Sequence, residues 1–205
     1  MSPTPLIHVV DDDDSLRTAL LRLLDAAGFE ARGYASTGEF LLQPLADRPG
    51  CVLLDIRLPG PSGLDLQEAM QRQDIALPVV FLTGHADVAS SVRAMKAGAV
   101  DLLTKPVERE VLLDALRRAL SRDASGRAAR DEAFRLRAAL ASLTPREREV
   151  FDLVAAGKLN KQIAAELGIA ERTVKLTRAH VMAKLGAGSA AELGGLAERL
   201  RQLSV

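Results

Sequence analysis

Cysteine is nearly absent: Cys51 is the only one among 205 residues, which excludes an internal disulfide and points to a reducing compartment, the cytoplasm. It sits inside an apolar run, where packing is its expected role. The three histidines are far apart and no Cys-x-x-C occurs, so a structural zinc site is not expected. No apolar stretch approaches the ~20 residues that cross a bilayer. The first residues lack the basic segment and apolar run of a secretory leader, so neither membrane nor export is expected. Internal repeats and long low-complexity segments are also missing. What remains is a chain long enough for one large domain or two small ones.

Net charge is zero overall, but the total hides a split. Residues 1–120 carry 12 Lys and Arg against 17 Asp and Glu, a net of −5, and residues 121–205 carry 15 against 10, a net of +5. An acidic module joined to one able to meet nucleic acid fits this asymmetry, as does a merely solvated basic surface.

The acidic part alternates apolar strands with helical patterns, the mark of a parallel sheet covered on both faces. Leu16, Ala19, Leu20, Leu23, Leu24 and Ala27 recur at helical spacing and Gly28 follows as a stop. Ser36-Thr37-Gly38-Glu39 has the form of a capping box. Helices are expected over 87–96 and 108–120, giving five strands and five helices. Residues 121–132 lose the apolar period, so residues 121–142 are expected to be a linker. It is partly helical, because Phe134, Leu136, Leu140 and Leu143 suggest a short amphipathic helix. Residues 143–205 contain only helical patterns, broken at Gly157, Gly168 and Gly186-Ala187-Gly188.

Chemistry gathers at the strand ends. Leu6 to Val10 runs into Asp11-Asp12-Asp13-Asp14; Cys51 to Leu54 ends in Asp55; Val79 to Leu82 ends in Thr83; Val100 to Thr104 ends in Lys105-Pro106. Each has an ordinary explanation by itself, such as an acidic N-cap, a strand-end hydroxyl or a surface lysine. Four strand ends of this kind in one parallel sheet instead share its carboxyl edge, where open α/β sheets bind ligands. Three carboxylates packed there repel unless a cation neutralises them. Magnesium, a hard ion that keeps several waters, suits a few carboxylates. Asp55 is then the candidate nucleophile toward a phosphoryl donor. Lys105 and the Thr83 hydroxyl are the positive and hydrogen-bonding partners that the phosphoryl oxygens require.

Several segments resemble the receiver domain of bacterial two-component response regulators over residues 6–120. They are Val9 to Asp14, Leu54-Asp55-Ile56-Arg57-Leu58-Pro59-Gly60-Pro61-Ser62-Gly63, Leu82-Thr83-Gly84-His85-Ala86-Asp87, Met95 to Asp101, and Thr104-Lys105-Pro106. The resemblance implies a flavodoxin-like, doubly wound five-stranded sheet with Asp55 as phosphoacceptor. It implies magnesium held by Asp12, Asp55 and the backbone carbonyl of Arg57, with Asp11 acting through water. Thr83 and Lys105 are then the phosphoryl sensors, and the Lys105–Pro106 bond is cis. One departure stands out: Leu102 occupies a position where many receivers carry Tyr or Phe. No ring swing is available there, and the Thr83–Val88 loop with the helix after it is the alternative route for the signal.

In the basic part, Thr144 with Pro145 and Glu147 signals a helix start. Asn160 to Ile169 suggests a short helix and a glycine turn, and a third helix follows from Glu171 to about Leu185. Ile163, Ala164 and Leu167 would face Val174, Val181 and Leu185, the layout of a helix-turn-helix; a helical dimerisation module has the same pattern. Leu143 to Val150, Asn160-Lys161-Gln162-Ile163-Ala164, and Thr173-Val174-Lys175 with Met182-Ala183-Lys184-Leu185 resemble the LuxR-type DNA-binding domain. Receiver plus this domain is the FixJ/NarL class of transcriptional regulators. The resemblance implies that Lys175, Leu176 and Ala179 face the major groove, with Lys175 suited to guanine O6 and N7. Lys161, Arg172, Thr173, Arg178 and Lys184 are then phosphate contacts; no role passes to Thr177, where the family often has His. The expected domains are 1–120, a linker at 121–142, and 143–205.

The resulting expectation is a cytoplasmic regulator phosphorylated on Asp55 by a sensor histidine kinase. It then binds double-stranded promoter DNA as a homodimer and works with RNA polymerase, activation being the better reading than repression. Leu193, Leu196, Leu200 and Leu203 form an apolar stripe that packs on its own domain or contributes to the dimer. Two rival classes are an adaptor whose helical part never meets DNA and a phosphotransfer enzyme. The chain shows no sign of a pocket for turning over a metabolite, so it is not expected to be an enzyme beyond its own phosphorylation and dephosphorylation.

Overall fold

The computed structural model of the protein describes residues 4–44, 48–84 and 87–202. They form two compact units, Met1–Arg127 and Ala128–Val205. In the first, strands β1 (Leu6–Val10), β2 (Glu30–Tyr34), β3 (Gly50–Asp55), β4 (Val79–Thr83) and β5 (Asp101–Thr104) alternate with helices α1 (Asp14–Ala26), α2 (Thr37–Leu41), α3 (Gly63–Arg72) and α4 (Val88–Lys96). Helix α5 (Arg109–Ala141) follows β5. The sheet is parallel throughout, in the order β2-β1-β3-β4-β5.

Side-chain alternation along the strands builds two cores. Val9, Leu53, Val80 and Leu82 point to one face and meet Leu20 and Leu24 of α1 and Leu112 and Leu116 of α5. Val10, Leu54 and Phe81 point to the other and meet Phe40, Leu66, Met70 and Ala94 of α2, α3 and α4. Burial on both faces explains why these strands are near-continuous apolar runs rather than alternating ones. Each fully buried Leu, Val or Phe contributes about 1.5–3 kcal/mol. Cys51 belongs to the first core, where burial, with a smaller effect from Asp123, pushes its thiol up to about 12.

Two local expectations are corrected. Ser36 does cap α2, accepting from Glu39 N, but the Glu39 carboxylate takes the N–H of Ala35 at 2.6 Å, one residue before the cap. The larger correction concerns residues 121–142. They do not follow a helix ending at Leu120, because α5 runs unbroken from Arg109 to Ala141. The apolar period fails over 121–132 because the one buried position there, 123, is held by an aspartate. Asp123, 2% exposed, accepts from Gly50 N at 3.0 Å and from Arg127 Nε at 2.9 Å, and Arg127 Nη2 donates to the Arg48 carbonyl. Further along, Leu136 is buried in the second unit's core while Phe134 is 73% exposed.

The second unit adds α6 (Pro145–Ala155), α7 (Asn160–Leu167), α8 (Glu171–Leu185) and α9 (Ala190–Gln202) to the end of α5. Thr144 and Glu147 form the expected capping box with Pro145 in the first turn. Gly168 and Gly186 end α7 and α8 in the left-handed conformation, at φ 64° and 66°, which glycine adopts without steric cost. Ile163 packs with Val174, Val181 and Leu185 as the helix-turn-helix pattern requires, and Val150, Phe151 and Val154 of α6 complete the core. Leu193 and Leu196 of α9 are buried in it as well. That half of the stripe serves its own unit; the side chain of Leu200 and all of Leu203 lie outside the described residues.

Candidate functional site

The parallel register brings four strand ends level at the carboxyl edge. Val10 pairs with Leu54, Asp55 with Leu82 and Thr83 with Thr104, so the residues at and just beyond each end adjoin. Asp11, Asp55 and Thr83 are buried and Asp12 is exposed. Carboxylate oxygens from Asp11, Asp12 and Asp55 all lie within 4.8 Å of one another. Uncompensated, such proximity is repulsive.

Lys105 supplies the compensation. Its Nζ donates to Asp11 Oδ2 at 2.8 Å and to Asp55 Oδ2 at 2.5 Å, bridging the two buried carboxylates. Burial works against the ammonium charge, but its bonds to Asp11 and Asp55 outweigh that and hold its pKa above the ordinary lysine value. The lysine backbone is fixed too: its N–H donates to the Thr83 carbonyl at 2.8 Å, and the Lys105–Pro106 bond is cis, as expected. The remaining Asp55 oxygen, Oδ1, accepts from Arg57 N at 2.9 Å, which orients the carboxylate. Gly63 lets the following loop close over β3, since a Cβ there would lie 2.1 Å from the Asp55 carbonyl. Lys105, Pro106 and Leu82 also border an apolar groove of about 510 Å³ with Leu16, Ala19, Leu20 and Leu23 of α1.

Three oxygen donors converging on one point, with no nitrogen or sulfur ligand among them, suit a hard divalent ion. Asp11, Asp12, Asp55 and Lys105 thus come together, with Thr83 at the end of the strand next to Asp55. Leu102 is partly buried against the second core, and His85 and Ala86 of the loop after Thr83 lie outside the described residues.

The second candidate surface is α8. Lys175, Leu176 and Ala179 are exposed on it, Leu176 at 56%. Arg172, Thr173 and, on α7, Lys161 are exposed as well. Lys175 lies 3.6 Å from Glu171, one turn earlier, a loose surface pair. Two of the expected phosphate contacts are engaged within the unit. Arg178 donates to Asn160 Oδ1 at 3.0 Å, tying α8 to the start of α7. Lys184 donates to Glu147 Oε2 at 2.6 Å and to the Ser142 carbonyl at 3.3 Å. The bond from Lys184, with that from Thr144 N, drops the Glu147 carboxyl to about 2. Lys184 therefore fastens α8 to the start of α6, and its position in sequence carried no sign of that partner.

Sequence reasoning missed two further groups. His8 of β1 is buried, shares a 2.8 Å hydrogen bond with the Tyr34 hydroxyl and meets Phe40 edge-on. Burial, helped by the charges of Arg32 and Arg48, lowers its pKa to about 4. A lone histidine in an apolar strand gave no signal of this network. The other is Arg17, whose guanidinium reaches back to the acidic loop.

Comparison with known proteins assigns a family to each unit. The family model for the response regulator receiver domain matches residues 7–117. The model for bacterial regulatory proteins of the luxR family matches residues 141–197. Nodulation protein W of Bradyrhizobium diazoefficiens is 45% identical over 199 residues, 97% of this chain and 88% of that protein. The transcriptional regulatory protein FixJ of the same organism is 40% identical over 198 residues, 97% of each. Among solved structures, the response regulator StyR gives a TM-score of 0.85 at 45% identity, covering 96% of this chain and 100% of that one. Full-length FixJ from B. japonicum gives 0.59 at 39%, covering 98% and 99%. The chain belongs to the response-regulator family, in the class that joins a receiver domain to a LuxR-type DNA-binding domain.

Proposed function

We propose that Asp55 is the phosphoacceptor of this transcriptional regulator and that α8 carries the phosphorylation signal to promoter DNA. The family supplies the coarse function: a response regulator activated by phosphorylation, served by a histidine kinase and binding DNA. The observation that carries the finer reading is Asp55 itself, a buried carboxylate between a lysine and two aspartates at a sheet edge.

Asp55 Oδ attacks the phosphorus of the kinase phosphohistidine; the new P–O bond forms as the P–N bond breaks, and the imidazole leaves and takes up a proton. Asp12, Asp55 and the Arg57 carbonyl would hold Mg2+, with Asp11 acting through water. When bound, the ion neutralises charge on the phosphoryl oxygens. Lys105 releases its bridge to Asp55 and pairs with a phosphoryl oxygen, and the buried Thr83 hydroxyl turns to another. The released bridge is how chemistry at Asp55 becomes a change at β5 and the Thr83–Val88 loop.

Lys175, Leu176 and Ala179 read bases, while Lys161, Arg172 and Thr173 hold phosphates. The phosphorylated protein acts in the cytoplasm as a homodimer on two half-sites about one helical turn apart, contacts RNA polymerase and activates transcription. It turns over no metabolite. The test is to phosphorylate the protein with acetyl phosphate, locate the modification by mass spectrometry, and sequence the DNA captured with beryllofluoride bound. Modification at Asp55 and enrichment of a two-fold-related site are expected. Both disappear in Asp55→Asn; modification elsewhere in the wild type would overturn the assignment.

A further inference from the structure

The three metal-facing carboxylates differ in how they are supported. Asp55 ends a strand and Asp11 is buried, but Asp12 is exposed and projects from a loop. Both peptide units flanking Asp12 are nevertheless pinned. The Asp13 N–H donates to Asp11 Oδ1 at 3.0 Å. On the other side, the Asp11 carbonyl, which sets the plane of the 11–12 peptide, accepts from Arg17 Nη1 at 2.6 Å. Arg17 Nη2 also pairs with Asp14, and Asp13 caps α1 through Ser15 N and Leu16 N. One guanidinium thus spans the acidic loop from its first residue to its last.

Arg17 can reach there because β2 makes room for it. Gly33 pairs with Val9 in the sheet, and a Cβ at Gly33 would lie 3.1 Å from both Cγ and Cδ of Arg17 and 3.0 Å from Leu21 Cδ1. The arginine stem lies against that bare backbone, and its side chain is 16% exposed.

We propose that Arg17, seated over Gly33, is a positioning residue for divalent-cation binding: it fixes the 11–12 peptide so that Asp12 faces Asp55. This rests on the metal reading given above. Two physical effects of Arg17 oppose each other, and they differ in sign. As a nearby positive charge it repels the cation, so its loss would tighten binding roughly twofold after solvent screening. As an outer support of a ligand its loss weakens binding on the order of tenfold. The geometry favours the second, because the hydrogen bond acts on the peptide that carries Asp12.

The experiment is calorimetric titration of Mg2+ into the full-length unphosphorylated protein. Arg17→Gln is expected to weaken binding about tenfold, with Arg17→Lys recovering part of the loss. Gly33→Val keeps every charge and suits an edge strand, but evicts the arginine stem; it is expected to weaken binding in the same direction, and it decides the matter if Arg17→Gln fails to fold. Wild-type affinity in Arg17→Gln, or the twofold tightening of a bare charge effect, overturns the proposal. If the wild type binds no Mg2+, or binds it equally well as Asp12→Asn, the metal reading itself fails and the role of Arg17 goes with it.

Discussion

The carboxyl edge of the sheet and the outer face of α8 are both charged, yet they are built on opposite plans. At the sheet edge Asp11 and Asp55 are buried and already paired with Lys105. On α8 Lys175, Leu176 and Ala179 are exposed, and among the described residues Lys175 has a loose pair with Glu171. A site for a small, highly charged group benefits from preset geometry and low local dielectric, where each pairing is strong. A surface for DNA works through release of counterions, which needs charge left in water until the polyanion arrives. Removing a charge from the first region should therefore damage stability, and removing one from the second should damage binding alone.

The largest expected effect lies at Lys105. Lys105→Ala leaves two buried carboxylates facing each other without their cation, a change that costs about 3 kcal/mol. Urea unfolding in a chelator should show that loss in the first unit, and added Mg2+ should return much of it by replacing the missing charge. A variant as stable as the wild type in chelator would show that the pair is not energetically buried, and the contrast with α8 would collapse.

Acid should separate the two units next. His8 is neutral in the folded protein, with its pKa lowered to about 4 from the ordinary 6.5. The unfolded chain therefore binds the proton first: stability is intact above pH 6.5 and lost as pH falls toward 4, on the order of 3 kcal/mol in all. Glu147 in the second unit has its pKa at about 2, so its contribution is present above the usual carboxylate range and is lost only as pH falls through about 2. The first unit should fail first on acidification. His8→Gln keeps a partner for the Tyr34 hydroxyl and cannot titrate in this range, so it should flatten the decline between pH 6.5 and 4. An unchanged pH profile would put the acid sensitivity elsewhere.

What sequence made legible follows the same division. The strand ends were readable because each closes an apolar run that can only be a buried strand, so the position of Asp55, Thr83 and Lys105 along the chain also fixes their place in space. Helix α8 and its inner face, Val174, Val181 and Leu185, were readable for the same reason. Its polar face was not, because a lysine looks alike in sequence whether it meets solvent, DNA or a glutamate 37 residues away, as Lys184 meets Glu147. The run after Leu120 misled in the complementary way: Asp123, with the half-buried Arg127 beside it, fills a buried position that a periodicity argument assigns to an apolar residue. The role of Arg17 escaped notice because its bond to Asp11 goes to the backbone carbonyl, which leaves no mark in the residue pattern.

On the DNA side, Lys175→Ala should cost roughly 1–3 kcal/mol on the cognate site and relax preference at one base position. Competition binding over a set of single-base variants measures this. Equal loss on cognate and random DNA would move Lys175 to the phosphates.

The smallest and most discriminating difference lies between Lys161 and Lys184, two lysines with the same sequence expectation and different surroundings. Lys161 is exposed at the start of α7, so Lys161→Ala should weaken all sequences alike and lower the slope of log affinity against log salt by about 1. Lys184 spends its charge on Glu147 and the Ser142 carbonyl. Lys184→Ala should therefore leave the salt slope near the wild-type value. It should lower the unfolding temperature of the second unit and raise the Glu147 pKa, visible as earlier acid unfolding. A full unit lost from the salt slope in Lys184→Ala would mean that the lysine leaves Glu147 for a phosphate when DNA binds, and the bond that fastens α8 to α6 would then break on recognition.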